Sequence, residues 1–248
     1  MTVSLREWSL LMETKGFTDQ VDNYIHHLRR AIYQPVVERD AGHAPIDRRK
    51  ASLLLLPLLN GEQWTDEMQT AALAIGAIHT AFDVHDQIDI VDASSKEQQL
   101  MVLAGDHFSG IHYKLLASIP NFHLIRSLSV AIGRVNECKT TLLQAPPTTL
   151  DERLQLIAEV ESACIVEFFE TFGFSRYTHI VETIFPLVWL LDSRYQDLNR
   201  MKFPHLVPST NDTQDWIKQL QQQLNNRLEN SFYLHTEVIA ELQKMTNP

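Results

Sequence analysis

Apolar residues recur along this chain at steps of three and four, with few of the strict alternations that mark a half-buried strand, so the pattern predicts an all-α protein. Helices are expected over residues 5–15 and 18–39, with Thr18 and Asp19 as a starting cap and Pro35 as a kink in the second. Residues 42–45 break the pattern. Asp47 can cap the next helix, and the run SLLLLPLL reads as a buried helix interrupted near Pro57. Thr65 opens a long helix that puts Ala72, Ile75, Ile78 and Phe82 on one side and ends in a polar stretch, residues 83–92. Further helices are predicted over 96–117, closed by Pro120, and over 122–143, where Leu124, Leu128, Ala131, Ile132, Val135 and Leu142 keep the helical beat.

Pro146 and Pro147 form a rigid break and the best candidate for a corner or subdomain boundary. Helices resume over 150–172 and 177–197, residues 202–212 read as a loop, and Trp216, Leu220, Leu224, Leu228, Phe232, Val238 and Leu242 mark a final amphipathic helix or pair of helices. The whole of 1–248 is expected to fold as one all-helical domain, a bundle with a central part over about 64–197 and a C-terminal segment over 212–245.

Composition narrows the partners. Eight glycines in 248 residues favour long helices, and a formal net charge of −10 opposes unspecific attraction to nucleic acid or anionic lipid. Arg48, Arg49 and Lys50 form a local basic triplet, read as a solvated helix start in preference to a phosphate site. Cys138 and Cys164 lack the spacing of a metal or redox site and are expected to be buried thiols. The longest apolar run, residues 51–59, is too short to span a bilayer and contains Pro57. A cytoplasmic protein is the expectation.

Candidate chemistry gathers in residues 79–116, HTAFDVHDQIDIVDASSKEQQLMVLAGDHFSGIHYKLL. Asp86 and Asp89 stand three apart, whereas carboxylates four apart share a helical face and can bind one hard cation together. His79, His85, His107 and His112 lack the spacing of a helical zinc pair and are read as core or interface residues. Asp106, after Gly105, is expected at a helix start, capping backbone N–H groups or meeting another subunit. Asp83 has no explanation in the sequence.

The same stretch resembles the core of trans-prenyl diphosphate synthases, which carry HTxxLxHDDxxD and then LAGDxL. His79, Thr80, His85 and Asp86 fall in register, as do Leu103, Ala104, Gly105 and Asp106, but Gln87 and Ile90 replace two carboxylates. Other diphosphate contacts of that family are missing too. No arginine occurs between Asp92 and Gln99, Glu161-Ser162-Ala163 stands where a Lys-Thr pair is expected, and only Asp192 matches the second aspartate motif. Asp47, Arg48, Arg49 and Lys50 reduce an upstream Gly-Gly-Lys-Arg element.

A helical scaffold kept while its ionic contacts are lost resembles component 1, the small subunit of two-component heptaprenyl diphosphate synthases. Residues 103–116, 125–139 and 83–86 carry that likeness. It implies a regulatory subunit in a heterodimer with a catalytic large subunit. That partner would hold Mg²⁺ and condense isopentenyl diphosphate with an allylic diphosphate, and this chain would help set prenyl length for menaquinone biosynthesis. No catalytic residue and no bound metal or cofactor are expected in this chain, His85, Asp86 and Asp89 being a degenerate first aspartate motif. Phe82, Gly105, Asp106, Phe108, Ile111 and Tyr113 become candidates for the subunit interface or the product tunnel. The alternatives are a self-sufficient terpene synthase-like lyase using Asp86 and Asp89, and an isoprenoid-binding scaffold without transferase activity.

Overall fold

A computed structural model describes residues 16–88, 95–144, 149–192 and 210–246, and among them every regular element is helical. The expected helix over 5–15, the Pro146–Pro147 break and residues 193–209 lie outside the described residues. Backbone contacts divide the chain into two units, 1–122 and 123–248, so the division falls upstream of the proline pair.

The first unit is built around one buried helix. Helix α1, Phe17–Ile32, turns Val21, Tyr24, Ile25, Leu28 and Ile32 inward, a stripe at helical spacing. Pro35 does not kink this helix; it starts the next. The residue before a proline avoids α geometry, so α1 ends at Ile32 and α2, Pro35–Ala41, begins with Pro35 in its first turn. The Gln34 side chain accepts hydrogen bonds from Val36 N and Val37 N, and Gly42, at φ 82°, ends α2.

Asp47 caps α3, Arg48–Leu54, through hydrogen bonds from Arg49 N at 2.7 Å and Lys50 N at 3.3 Å. The apolar run breaks at Leu55, and Pro57 falls in the first turn of α4, Leu56–Leu59. Thr65 then caps α5, Asp66–His85, whose buried residues run through Ala71, Ala72, Ala74, Ile75, Gly76, Ala77 and Ile78 and so occupy every side. Small residues let its neighbours come close. A Cβ at Gly76 would collide with the Tyr24 hydroxyl and with Leu28, and Tyr24 donates to Ala72 O at 2.8 Å. Helix α6, Lys96–Leu116, is capped by Ser95 and packs along α5.

In the second unit α7, Phe122–Gln144, buries Leu124, Leu128, Ala131 and Val135. Arg134 ties it to α8, Leu150–Phe172, by ion pairs to Glu159 at 2.8 Å and Glu167 at 3.0 Å. Gly173, at φ 78°, ends α8 in the left-handed region. A 3₁₀ turn, Ser175–Tyr177, leads into α9, Thr178–Leu191, which packs on α8 and on α10, Thr210–Glu229. Thus α10 begins inside the loop expected over 202–212. Helix α11, Thr236–Thr246, closes the unit. Phe232, expected on an apolar helical stripe, lies in the turn between α10 and α11 and is 94% exposed. Cys164 is buried, while Cys138 is only half-buried.

Candidate functional site

The polar stretch that the sequence singled out forms around the C-terminal end of α5. The helix stops at His85, short of the expected 92, and Asp86 occupies the C-cap, its N–H bonded to Phe82 O at 2.9 Å. Gln87 N and Ile88 N bond back to Val84 O and His85 O in a closing turn. The Gln87 side-chain amide donates to Asp83 O at 3.0 Å. An ionised carboxylate has no proton to give to that carbonyl, so the amide satisfies a helix-end acceptor that an aspartate at this position could not.

Asp86 is exposed at this terminus, and Asp89, its expected companion, lies outside the described residues. Asp86 stands just beyond the last residue of α5 and not within the helix. Asp86, Gln87 and Ile88 offer one carboxylate, whereas a bound Mg²⁺ draws on several oxygens in octahedral array. Among the described residues no group of three or more His, Cys, Asp or Glu is placed to hold a metal.

His85 and Gly105, from the two motifs in register with prenyl synthases, touch each other. The His85 ring lies where a Cβ on Gly105 would be, its Nε2 is 3.4 Å from Val102 O, and Asp106 Oδ1 is 3.8 Å away. Asp106 is not a helix cap. It lies well inside α6, exposed, because Ser95 rather than Gly105 starts that helix. His112 is fully buried and its Nδ1–H donates to Ala74 O at 2.8 Å, leaving Nε2 buried without a hydrogen-bond partner. Burial pushes its pKa down.

The basic triplet is not a uniformly solvated helix start. Arg48 pairs with Asp22 and Arg49 with Asp47, but Lys50 is 8% exposed and its Nζ donates to Asp83 Oδ1 at 2.7 Å. Asp83, unexplained in sequence, is half-buried and gives Lys50 a counter-charge. Periodicity gave no sign of this pair, since the two residues are 33 apart and lie on different helices. A shallow cleft beside them is lined by Tyr24, Asp47, His79 and Thr80 among others and opens to solvent.

The interface and tunnel candidates separate by burial. Phe108 is 2% exposed and Phe82 and Gly105 are buried, so these three belong to the packing of the first unit. Ile111 is half-buried, Asp106 is exposed and Tyr113 is 52% exposed on α6. Phe108 also lines a second cleft with Ile32, Tyr33 and Val37, likewise open to solvent. In the second unit Glu161 is half-buried on α8 and Asp192 caps the C-terminus of α9. Among the described residues no helix is long and apolar enough to cross a membrane.

Residues 36–237 match the family model of heptaprenyl diphosphate synthase (HEPPP synthase) subunit 1. The chain is 32% identical over 101 residues to heptaprenyl diphosphate synthase component 1 of Geobacillus stearothermophilus, a match that takes in 41% of this chain and 46% of that protein. It thus spans under half the length of that relative. The crystal structure of heptaprenyl diphosphate synthase from Staphylococcus aureus is similar in fold, with a TM-score of 0.66 over 94% of this chain and 98% of that chain at 13% identity. With an all-helical fold and a family match that runs from α2 into α11, this chain belongs to the heptaprenyl diphosphate synthase subunit 1 family.

Proposed function

We propose that this chain is the non-catalytic, regulatory subunit of a heterodimeric heptaprenyl diphosphate synthase. In this reading a catalytic large subunit holds Mg²⁺ and both diphosphates and performs the condensation. This chain completes the assembly in the cytoplasm and helps set product length, the product serving menaquinone biosynthesis. The observation that carries the reading is Gln87, whose amide is turned back onto Asp83 O at the point where the prenyl synthase motif requires a second metal-binding carboxylate. Neutralising a diphosphate leaving group needs a cluster of cations held by such carboxylates. The exposed residues of α6, Asp106 and Tyr113 with half-buried Ile111, are the side chains we assign to the partner.

The test mixes the purified chain with Mg²⁺, farnesyl diphosphate and labelled isopentenyl diphosphate, with and without a large subunit bearing intact aspartate motifs. Long product in the mixture alone supports the reading. Turnover by the isolated chain would sink it and favour the lyase-like alternative that uses Asp86 and Asp89.

A further inference from the structure

Helix α6 exposes a seam with the spacing of a helix-pairing surface. Gln99, Leu103, Asp106, Gly110, Tyr113 and the C-cap Ala117 follow one another at alternate steps of four and three, and all of them are exposed. That rhythm repeats every 3.5 residues and keeps one face of a helix turned toward a second helix. Leu103 is 60% exposed, and Val102 stands beside it at the surface. Helix α1 shows a solvated face in the same unit: it exposes Asp19, Asp22, His26, Arg29 and Arg30.

Gly110 lies at the middle of the seam, and its own chain gives no packing reason for it. A Cβ there would meet nothing within 4 Å, whereas at Gly76 and Gly105 it would collide with neighbouring side chains. Glycine inside a helix costs about 0.5–1 kcal/mol relative to alanine, so a glycine facing open space fits a close approach from outside the chain. Charge decides what approaches. Asp106 lies four residues before Gly110 and Lys114 four after it. A second copy laid antiparallel, with the two Gly110 residues facing, brings each Asp106 level with Lys114 of the other copy and each Leu103 level with Ala117. Parallel pairing in register would set Asp106 beside Asp106. Within the chain Asp106 is 3.8 Å from His85, and among the described residues Lys114 has no acidic partner.

We propose that the isolated chain pairs with a second copy of itself through this seam, antiparallel and two-fold about Gly110. A single pair of helices roughly 30 Å long buries less than the about 1,200–2,000 Å² of a stable interface, so the pair is weak and exchangeable. The seam contains Asp106 and Tyr113, which we assigned to the large subunit. One consequence rests on that reading: the self-pair and the synthase exclude each other, and the chain must come apart before it can join its partner.

Sedimentation velocity of the isolated full chain, from about 1 to about 100 µM, should show a monomer–dimer equilibrium. Gly110→Gln should fold at least as well as the parent by circular dichroism, because the space is open, and should stay monomeric over that range. Asp106→Lys should weaken the pair at least about tenfold, and adding Lys114→Asp should restore it, since opposite charges then return to each level. The proposal is overturned if the parent is monomeric at the highest concentration, if Gly110→Gln dimerises like the parent, or if the double exchange pairs no better than Asp106→Lys. None of these measurements contains the large subunit, so their failure leaves the proposed function standing. Inactive mixed subunits would remove that function and leave the self-pair.

Discussion

The imidazole of His85 occupies the space that a side chain on Gly105 would need, so the histidine of one motif and the glycine of the other form a single contact between α5 and α6. This assigns Gly105 to close helix packing. Gly105→Ala should destabilise the chain by about 1–3 kcal/mol through overpacking. Combining it with His85→Ala should recover much of that loss, measured by urea unfolding; additive losses would separate the two residues.

Phe108 and Tyr113 sit on the same helix and should part company under mutation. Phe108→Ala removes a fully packed ring and is expected to cost about 3–5 kcal/mol of stability. Tyr113→Glu, at a site 52% exposed, should leave the unfolding midpoint nearly unchanged yet weaken co-purification with the large subunit. Full retention of complex by Tyr113→Glu would take this residue out of the interface.

Tyr24 is buried and its ionisation is pushed well above the ordinary tyrosine range by desolvation. Ultraviolet titration should therefore show tyrosine ionisation that waits for unfolding, and Tyr24→Phe should remove one tyrosine's share of it. The lost hydrogen bond to Ala72 O should cost about 1 kcal/mol.

Two histidines make stability depend on mild acid. Desolvation lowers the His112 pKa, and desolvation with the nearby His26 and Arg30 lowers that of His27 to about 4. The folded state thus holds both neutral while the unfolded chain takes up protons near the ordinary value of about 6.5. Stability contributed by these groups is complete above that value and is lost as pH falls towards their folded pKa values. Chemical denaturation at a series of pH values should show this decline, and His27→Gln should flatten its lower part; an unchanged slope would refute the His27 share.

Asp86→Ala should reduce the rate of the assembled synthase by less than about tenfold, under roughly 1.4 kcal/mol of barrier. Asp86 caps a helix end with Gln87 as its neighbour, not a second carboxylate. A loss as large as that from deleting a first-motif aspartate of the large subunit would show that Asp86 takes part in the chemistry.

Periodicity made most of the helices legible, including α5 from Thr65, α8 from residue 150 to 172 and the cap at Asp47, because each depends on local spacing and on a side chain bonding to backbone two or three residues away. It misjudged Pro35, where the helix restarts, and Asp106, where a motif suggested a helix start that Ser95 had already provided. The candidate site was legible only as a set of missing charges: Gln87 and Ile90 were visible, but the use made of Gln87 was not.

The order of residues by itself determined the all-helical class, through apolar spacing, and the loss of a paired-carboxylate motif, through residue identity. Tertiary structure alone decided that Lys50 is buried against Asp83, that His85 packs on Gly105, and that Phe108 is core while Tyr113 is surface. The physical reason is range. Helix formation and capping act within four residues of the chain, whereas burial and charge pairing depend on which distant helices are brought together, and no local pattern encodes that.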